Sequence, residues 1–384
     1  MNLKFIAAAA LAVSLPLHAM AEDGVSPDSI VFGQVAAFEG PAAALGTGMR
    51  EGILAAFHEA NAAGGVHGRQ LELQTENDGY EPDRSAEAVR AMITSGSVFG
   101  LIGPVGTPTS KSTQPIATEA GVPFVGPFTG AGFLRDPSLG NVVNVRATYA
   151  AETEAWIAHL VDKQGMKNIA LLYQDDAFGR VGLDGVTAAL EKRGMKLAAK
   201  GSYTRNTTAV KAAVLAIRKG KPDAVVMVGA YKPVAEFIRL SKKLKMKATY
   251  VNISFVGSKA LAAELGPDGE GVIISQVVPF PWDSSIPVVA TYQAAMKAHD
   301  PASEPGFVSL EGYIVGRLAV AALQEAGPEP TRQAFLDAIW EKSDLDFGGL
   351  TMQFAKGDSQ GLDDVFLTEI DASGGFKPIG SPGS

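Results

Sequence analysis

The stretch VFGLIGPVGTPTSKSTQPIATEAG, residues 98–121, places a buried strand directly before a helix. VFGLIG is an apolar run of strand length, and IATEAG has the composition of a short helix. Between them, residues 105–115 carry five hydroxyl side chains, two prolines and a glycine, which predicts a loop. A strand that leads through a short loop into a helix is the repeating unit of a parallel sheet, so the stretch predicts an α/β protein.

Segments with the same alternation continue on both sides of this stretch. The first series comprises strand 30–38, helix 48–65, strand 70–77, helix 82–96 and strands 98–103 and 122–126. The second series comprises helix 150–164, strand 168–173, helix 178–193, strand 197–203, helix 208–219, strand 223–229 and segments 232–246, 249–254 and 271–278. Strands that alternate with helices of this length form parallel sheets covered on both faces. The two series therefore predict two doubly wound parallel-sheet lobes.

A break in the pattern at PFPWD, residues 279–283, is followed by three consecutive helical segments. They are 286–298, 307–326 and 331–342, before β-like segments return at 348–354 and 363–371. Because consecutive helices cannot extend a parallel sheet, we expect them to cover the first lobe, with the chain crossing between the lobes more than once. The predicted division assigns residues 22–146 and 279–344 to the first lobe, and 147–278 and 345–384 to the second.

The N-terminus has the pattern of a cleavable export signal. Residues 1–21 contain a positive charge from Lys4, an apolar run rich in alanine and leucine, and a terminal A-x-A. The run is too short for a stable membrane anchor. A buried N-terminal helix is the alternative interpretation. We predict a periplasmic protein whose mature chain starts near Glu22.

Composition excludes several classes of function. The 384 residues carry 33 Lys and Arg against 41 Asp and Glu, and a net charge of −8 argues against a nucleic-acid partner. The chain has no cysteine, which excludes disulfides, cysteine-ligated metals and a cysteine nucleophile. Its histidines lie far apart in the sequence, and no metal-binding spacing is present. We therefore predict neither a metal nor a cofactor.

The loops after successive strands are the predicted binding region, because ligands of open parallel sheets bind beyond the carboxyl ends of the strands. An aromatic residue occurs in nearly every one of these loops. These residues are Phe38, Tyr80, Phe128, Phe178, Tyr231 and Phe255. Each ring could instead pack on its own lobe. Six rings in corresponding loops favour a lined cleft.

The hydroxyl-rich loop has the chemistry of an anion site. Thr107, Thr109 and Ser110 supply donors ahead of a helix, whose N-terminus adds free N–H groups and positive potential. A carboxylate is the simplest anion to fit. The alternative is ordinary helix capping by Ser112 or Thr113, but capping needs only one hydroxyl.

Several motifs together resemble those of a known family. They are G-G-V-x-G-R-x-L at 64–71, S-T-Q-P at 112–115, E-A-G-V-P at 119–123 and D-A-F-G at 176–179. In an exported chain without cysteine, they resemble type I periplasmic solute-binding proteins, in particular the leucine/isoleucine/valine-binding group that feeds ABC importers. The resemblance covers essentially the whole mature chain. It implies two lobes joined by three hinge crossings that close on a solute, and an inner-membrane ABC permease as partner.

The resemblance also implies ligand contacts. It places the grip on an amino acid's α-carboxylate at Thr107, Pro108 and Thr109. The further implied contacts are Phe128, Thr129, Gly130, Phe178 and Tyr231.

One position departs from the pattern of the family. The acidic residue that pairs with the ligand's ammonium falls at about Ser254, which is not a carboxylate. A buried ammonium without a counter-charge costs several kcal/mol. Either another acid takes over, or the ligand has no ammonium. The acids considered are Glu39, Asp175, Asp176 and Glu311. We expect the second case, a small carboxylate with an apolar or aromatic body.

Two other classes of function fit the sequence less well. An enzyme is disfavoured because G-x-G-x-x-x-G at 46–52 differs from the dinucleotide fingerprint and begins well past the first strand. A ligand-sensing module for a membrane receptor would use the same fold and cleft, and only its partner would differ. The resemblance favours transport.

Overall fold

The computed structural model describes residues 22–342 and 344–379, so the predicted export signal at 1–21 lies outside the described residues. The strands are β1 (Ser29–Ala36), β2 (Gln70–Asn77), β3 (Gly100–Ile102), β4 (Phe124–Val125), β5 (Val142–Val143), β6 (Ile169–Gln174), β7 (Ala199–Tyr203), β8 (Ala224–Val228), β9 (Thr249–Asn252), β10 (Ile273–Gln276), β11 (Asp344–Asp346), β12 (Thr351–Gln353), β13 (Phe366–Ile370) and β14 (Phe376–Pro378). They form two separate sheets and one hairpin.

The first sheet has the order β2-β1-β3-β4-β5, and all of its pairings are parallel. The second has the order β14-β13-β10-β9-β8-β6-β7, with β13 and β14 antiparallel at one edge. β11 and β12 pair only with each other among the described strands. The two predicted parallel-sheet lobes are confirmed, and we call them the first and second lobe after their sheets. The residue division between the lobes stays a prediction.

The helices are α1 (Ala43–Ala62), α2 (Pro82–Thr94), α3 (Thr107–Glu119), α4 (Tyr149–Ile157), α5 (Ala177–Glu191), α6 (Lys211–Lys219), α7 (Tyr231–Lys243), α8 (Ser258–Leu265), α9 (Pro287–His299), α10 (Phe307–Ala326) and α11 (Arg332–Glu341). Short 3₁₀ turns occur at Gly132–Arg135, Ser254–Val256 and Gly266–Gly269, and the π-helical segment Ala158–Lys163 continues α4. Most predicted helices are present to within a few residues.

The hydroxyl-rich segment differs from the prediction, because it is helical. Gly106 has φ +105°, a conformation open to glycine, and turns the chain so that α3 begins at Thr107. Pro108 lies in the first turn, where it removes no helical hydrogen bond. The segment is therefore the first half of a helix and not a loop.

Helices α9, α10 and α11 cover the first lobe, as predicted. α10 packs along α1 so closely that a Cβ atom added at Gly52 would lie 1.9 Å from the carbonyl oxygen of Ser309. One added at Gly312 would lie 2.3 Å from the carbonyl of Met49. Gly52 therefore allows the close approach of α1 and α10, while Gly46 lies against the backbone of Ala37. α10 is the one described helix long and apolar enough for a membrane span, and most of it is buried inside the protein.

Two of the segments that cross between the lobes are joined to each other. Asn144, just after β5, donates its backbone N–H to the carbonyl of Ser359 over 2.8 Å. Its own carbonyl accepts from the N–H of Gly361 over 2.9 Å. These bonds form a short parallel bridge in which the crossings stiffen one another.

Candidate functional site

A cluster of aromatic rings joins the two lobes at the carboxyl ends of their sheets. Phe255 of the second lobe lies at its centre, 5.4 Å from the ring of Phe128 and 5.9 Å from that of Tyr80, both in the first lobe. Within its own lobe it contacts Phe178 at 4.6 Å, and Phe178 contacts Tyr149 at 5.4 Å. All five rings are buried. Four of the six predicted aromatic residues therefore meet in one cluster, and Tyr149 was missed.

The other two predicted rings lie away from this cluster. Phe38 is half-buried, and the guanidinium carbon of Arg50 lies 4.5 Å from its ring centroid. Tyr231 is buried at the N-terminus of α7, and its hydroxyl accepts a 3.4 Å hydrogen bond from the N–H of Ala44 in α1. Tyr231 thus contacts the opposite lobe, whereas Phe38 packs within its own.

Tyr80 is held in an unusual backbone conformation. Its φ is +63°, which is uncommon for a residue with a large side chain. The carboxylate of Asp78 accepts from the N–H of Tyr80 over 2.7 Å and from the hydroxyl of Ser85 over 2.7 Å, which fixes the turn. The Tyr80 ring covers the backbone of Gly106, where an added Cβ would lie 2.2 Å from it. The aromatic cluster therefore adjoins the N-terminus of α3.

The hydroxyls of α3 mostly point back into the helix, unlike the predicted array of donors. Thr109 donates to the carbonyls of Val105 and Gly106. Ser112 and Thr113 both donate to the carbonyl of Thr109. Serine and threonine commonly form such bonds within helices. These side chains therefore satisfy backbone carbonyls and leave little donor capacity for a ligand.

Two hydroxyls remain at the start of α3, and a third, that of Thr129, lies next to them. Those of Thr107 and Thr129 bond to each other over 2.7 Å, which ties α3 to the loop after β4. The Ser110 hydroxyl is buried without a hydrogen-bond partner among the described residues. The first turn of a helix also leaves backbone N–H groups without helical partners. An acceptor group at this end of α3 would meet both kinds of donor.

Gly130 and Pro108 have structural roles at the same place. A Cβ atom added at Gly130 would lie 2.6 Å from the backbone nitrogen of Tyr149, so only glycine fits there. The carbonyl of Gly130 accepts from that N–H over 2.8 Å. Pro108 is buried in the first turn of α3. The predicted contact residues of the first lobe are thus brought together, several of them as supports.

A buried carboxylate lies directly beside Ser254. Glu152, in the first turn of α4, accepts from the backbone N–H of Ser254 over 2.9 Å and from its hydroxyl over 2.8 Å. The hydroxyl of Ser275 also donates to it. Burial raises the pKa of Glu152, while nearby Arg146 and these donors act to lower it. Position 254 itself is not acidic, as the sequence shows, but the fold brings the carboxyl group of Glu152 from α4 next to it.

The four acids considered from sequence are engaged elsewhere or exposed. Asp176 caps α5 by accepting from the N–H of Phe178 over 3.0 Å. Asp175 is exposed and lies 3.5 Å from the guanidinium of Arg180. Glu39 is exposed, and Glu311 pairs with Arg146. The lack of a carboxylate at position 254 therefore no longer argues against an ammonium-bearing ligand, because the carboxyl group of Glu152 lies beside Ser254.

Arg146 and Glu311 form a buried ion pair behind the cluster. Two nitrogens of Arg146 lie 2.9 and 3.0 Å from the two carboxylate oxygens of Glu311. The guanidinium carbon is 4.4 Å from the ring centroid of Phe128. Arg135 donates to the backbone carbonyl of Arg146 over 3.0 Å, and burial lowers the pKa of Arg135 to about 9. This pair anchors the first crossing segment to α10.

Sequence reasoning missed Tyr149, Arg146, Glu152 and Ser275. Tyr149 and Glu152 lie in the first turn of α4, and Ser275 lies within β10. Arg146 follows β5, a two-residue strand that the sequence pattern did not predict. Thr148 caps this helix by accepting from the N–H of Ala151 over 3.1 Å. A capping threonine followed by an acid four residues later was the only local signal available.

Ser254→Asp tests the position of Glu152. We expect an aspartate there to lie against the Glu152 carboxylate, so that one of the two acquires a raised pKa. A raised carboxyl pKa in the folded state costs stability as the pH rises above the ordinary carboxyl range. At pH 7 the loss should be at least about 1.4 kcal/mol, one pKa unit, and it should shrink toward pH 4. Ser254→Asn, measured in the same denaturant titrations, should show no such pH dependence, and equal curves for both variants would contradict the arrangement.

Residues 29–375 match the family of periplasmic binding proteins, so the chain belongs to that family. Its members bind solutes and are not enzymes. The fold is that of type I periplasmic binding proteins, as the resemblance implied.

Known proteins similar to this chain carry related names. A crystal structure of "a possible leucine/isoleucine/valine-binding protein" from Rhodopirellula baltica SH 1 is 36% identical, with a TM-score of 0.86 over 94% of this chain and 98% of that one. The leucine-, isoleucine-, valine-, threonine-, and alanine-binding protein of Pseudomonas aeruginosa is 23% identical over 84% of this chain and 86% of its own. Leu/Ile/Val-binding protein homolog 3 of Brucella melitensis is 26% identical, and the match spans 64% of each chain, less than two thirds of that relative.

Proposed function

We propose that this protein captures a small carboxylate-bearing solute between its two lobes and delivers it to an inner-membrane ABC permease from the periplasm. The observation that carries the proposal is the buried aromatic cluster across the lobes, next to the N-terminus of α3. The solute is an amino acid, as the names of the relatives suggest, or an organic or aromatic acid.

The start of α3 is the proposed place for the carboxylate. Backbone N–H groups and the positive end of the helix dipole favour an anion there. The unpartnered Ser110 hydroxyl supports this placement, since a buried donor without an acceptor is costly. The hydrogen bond between Thr107 and Thr129 then positions these donors, and the two hydroxyls do not themselves bind the carboxylate.

The rings around Phe255 are proposed to enclose the body of the solute. Buried aromatic faces favour apolar groups, and the faces come from both lobes. A solute that touches Tyr80 and Phe178 together makes both contacts only when the lobes are closed. It therefore shifts the population toward the closed form, which a permease can distinguish from the open one.

A thermal-shift screen tests this function. The mature protein would be unfolded and refolded once to remove any carried solute, then mixed with leucine, phenylalanine and their counterparts without the amine, 4-methylpentanoate and 3-phenylpropanoate. A solute at a thousand times its Kd stabilises the folded protein by about 4 kcal/mol, a clear shift. Stabilisation by the amino acids or by the acids without the amine supports the proposal and shows which of these two classes of solute the protein binds. No stabilisation by any of the four, with amides of the same bodies binding instead, would contradict the carboxylate assignment.

Tyr231→Ala should weaken binding of the selected solute by more than about tenfold, or 1.4 kcal/mol. The side chain reaches from α7 to Ala44 in the opposite lobe, so its loss removes a contact that stabilises the closed form. Calorimetric titration gives the change in Kd. Phe38→Ala is the matched control, because Phe38 packs within its own lobe. A Kd within twofold of the wild type for Tyr231→Ala would remove Tyr231 from the site.

A further inference from the structure

The turn after β7 makes a polar contact with the opposite lobe. Arg205 of this turn donates to the carboxylate of Glu81 over 2.7 Å. Its neighbour Asn206 donates to the same carboxylate over 2.7 Å and to the carbonyl of Gly79 over 3.0 Å. Glu81 and Gly79 belong to the first lobe, next to Tyr80 of the aromatic cluster. All three hydrogen bonds therefore exist only while the lobes are together.

Arg205 also bonds to the second lobe close to the solute-binding region. It donates to Asp176 over 3.1 Å, and Asp176 accepts in turn from the N–H of Phe178 and from Gln174. The guanidinium carbon lies 5.9 Å from the ring centroid of Tyr80. One side chain thus links Glu81, which directly follows Tyr80, with Asp176, which lies two residues before Phe178.

This contact differs from the ordinary surface ion pairs of the protein. The side chains of Arg205 and its interlobe partner Glu81 are 21% and 43% exposed, and that of Asp176, which Arg205 contacts within the second lobe, is 12% exposed. Those of Arg180 and Asp175, a pair within the second lobe, are 59% and 56% exposed. Partly buried pairs are screened less by salt and water than exposed ones. Partial burial acts to raise the pKa of Glu81, but the hydrogen bonds from Arg205 and Asn206 outweigh it and the pKa lies below its usual value.

We propose that Arg205 is a positioning residue that latches the closed lobes and slows release of the solute. The interlobe latch comprises Arg205, Asn206, Gly79, Glu81 and Asp176. It stabilises the closed form through contacts between the lobes at the rim, and needs no solute for this. Its effect on solute release rests on the proposed function, whereas its effect on closure does not.

Closure can be measured without a ligand, because the chain has no cysteine and engineered cysteines are the only labelling sites. Glu87→Cys on α2 and Ala188→Cys on α5, both exposed, would carry a donor and an acceptor dye. Single-molecule energy transfer on refolded protein then gives the ratio of closed to open molecules. We expect Arg205→Ala and Glu81→Gln each to lower this ratio at least threefold at 20 mM salt. The double variant should lose less than the sum of the two single losses, since both changes remove the contact between Arg205 and Glu81.

Three controls separate the latch from a general effect. Arg180→Ala removes an exposed ion pair of the second lobe and should leave the ratio unchanged. Arg205→Lys keeps the charge but cannot bridge two carboxylates with one planar fork, so it should give an intermediate ratio. Raising the salt to 1 M should lower the ratio in the wild type and have little effect in Arg205→Ala. Ratios equal to the wild type in both latch variants, or additive losses, would overturn the proposal.

Solute release is the second readout, with leucine or 4-methylpentanoate as the probe, whichever the wild type binds. Arg205→Ala should raise the dissociation rate at least threefold and leave the association rate within twofold, because the latch forms after the solute enters. A slower association with unchanged dissociation would contradict the latch. If the wild type binds neither probe, phenylalanine or 3-phenylpropanoate takes their place. If it binds none of the four acids, the proposed solute class fails, while the energy-transfer measurement still decides whether the latch exists.

Discussion

Replacing Arg146 with methionine should lower the free energy of unfolding by about 3–5 kcal/mol. Arg146 is fully buried, and it forms two contacts of 2.9 and 3.0 Å with Glu311. Burial raises the pKa of Glu311 and of Glu152, and in both cases Arg146 is the nearby charge that most opposes this rise. Without the guanidinium, two carboxylates remain buried with no cation in contact. The cost is that of an uncompensated charge and not only that of a lost hydrogen bond.

The pH dependence and a double variant identify the cause of this loss. Removing Arg146 raises both carboxyl pKa values further, so stability is lost as the pH rises and regained as the pH falls toward the ordinary carboxyl range. Arg146→Met combined with Glu311→Leu should recover a large part of the loss, since an apolar pair of similar volume replaces the ion pair. Urea titrations at pH 5 and pH 8 give the comparison. A loss below about 1 kcal/mol at pH 8 would show that the pair contributes no more than an exposed one.

Gly52→Ala should cost about 2–3 kcal/mol, even though alanine is the better helix former by about 1 kcal/mol. The added methyl would lie 1.9 Å from the carbonyl oxygen of Ser309 and 2.5 Å from the backbone nitrogen of Tyr313. Backbone atoms of α10 cannot rotate away as a side chain can. The two helices must therefore separate, and the packing of the first lobe is disturbed along their length.

Gly48→Ala is the matched control in the same helix. Its added methyl would lie 2.9 Å from a methyl group of Val308, a partly buried side chain, and not against a backbone atom. The helix-propensity gain is the same, so the difference between the two variants isolates the backbone clash. We expect the free energy of unfolding of Gly48→Ala to lie within about 1 kcal/mol of that of the wild type. Equal melting temperatures for the two variants would show that α1 and α10 are less tightly packed than described.

The architecture was predictable because the evidence for it is local. Alternation of apolar strands with amphipathic helices recurs through the chain, and each strand–helix unit independently indicates a parallel sheet. The start of α3 was not predictable in this way. Two prolines and five hydroxyls favour a loop by composition, and only the backbone of Gly106 with the inward bonds of Thr109 and Thr113 makes the segment helical.

The site was predictable in part. Loops at the carboxyl ends of strands identify Tyr80, Phe128, Phe178 and Phe255, because parallel topology alone brings them together. Glu152 lies 102 residues from Ser254, and no spacing rule connects a helix residue to a distant turn. The same holds for Arg205 and Glu81, 124 residues apart. Such contacts depend on how the two lobes pack, which a single sequence does not reveal.

The position of α10 has a consequence for the way this chain folds. The last strand of the first sheet ends at Val143, yet α10, which packs against α1, is formed by the much later residues Phe307–Ala326. The second sheet likewise gains an edge strand only at Phe366–Ile370. Neither lobe can finish its core from an early portion of the nascent chain, and contacts of such large sequence separation make folding slow. Late folding is compatible with the proposed export of this chain to the periplasm, because it leaves time for export before the lobes are complete.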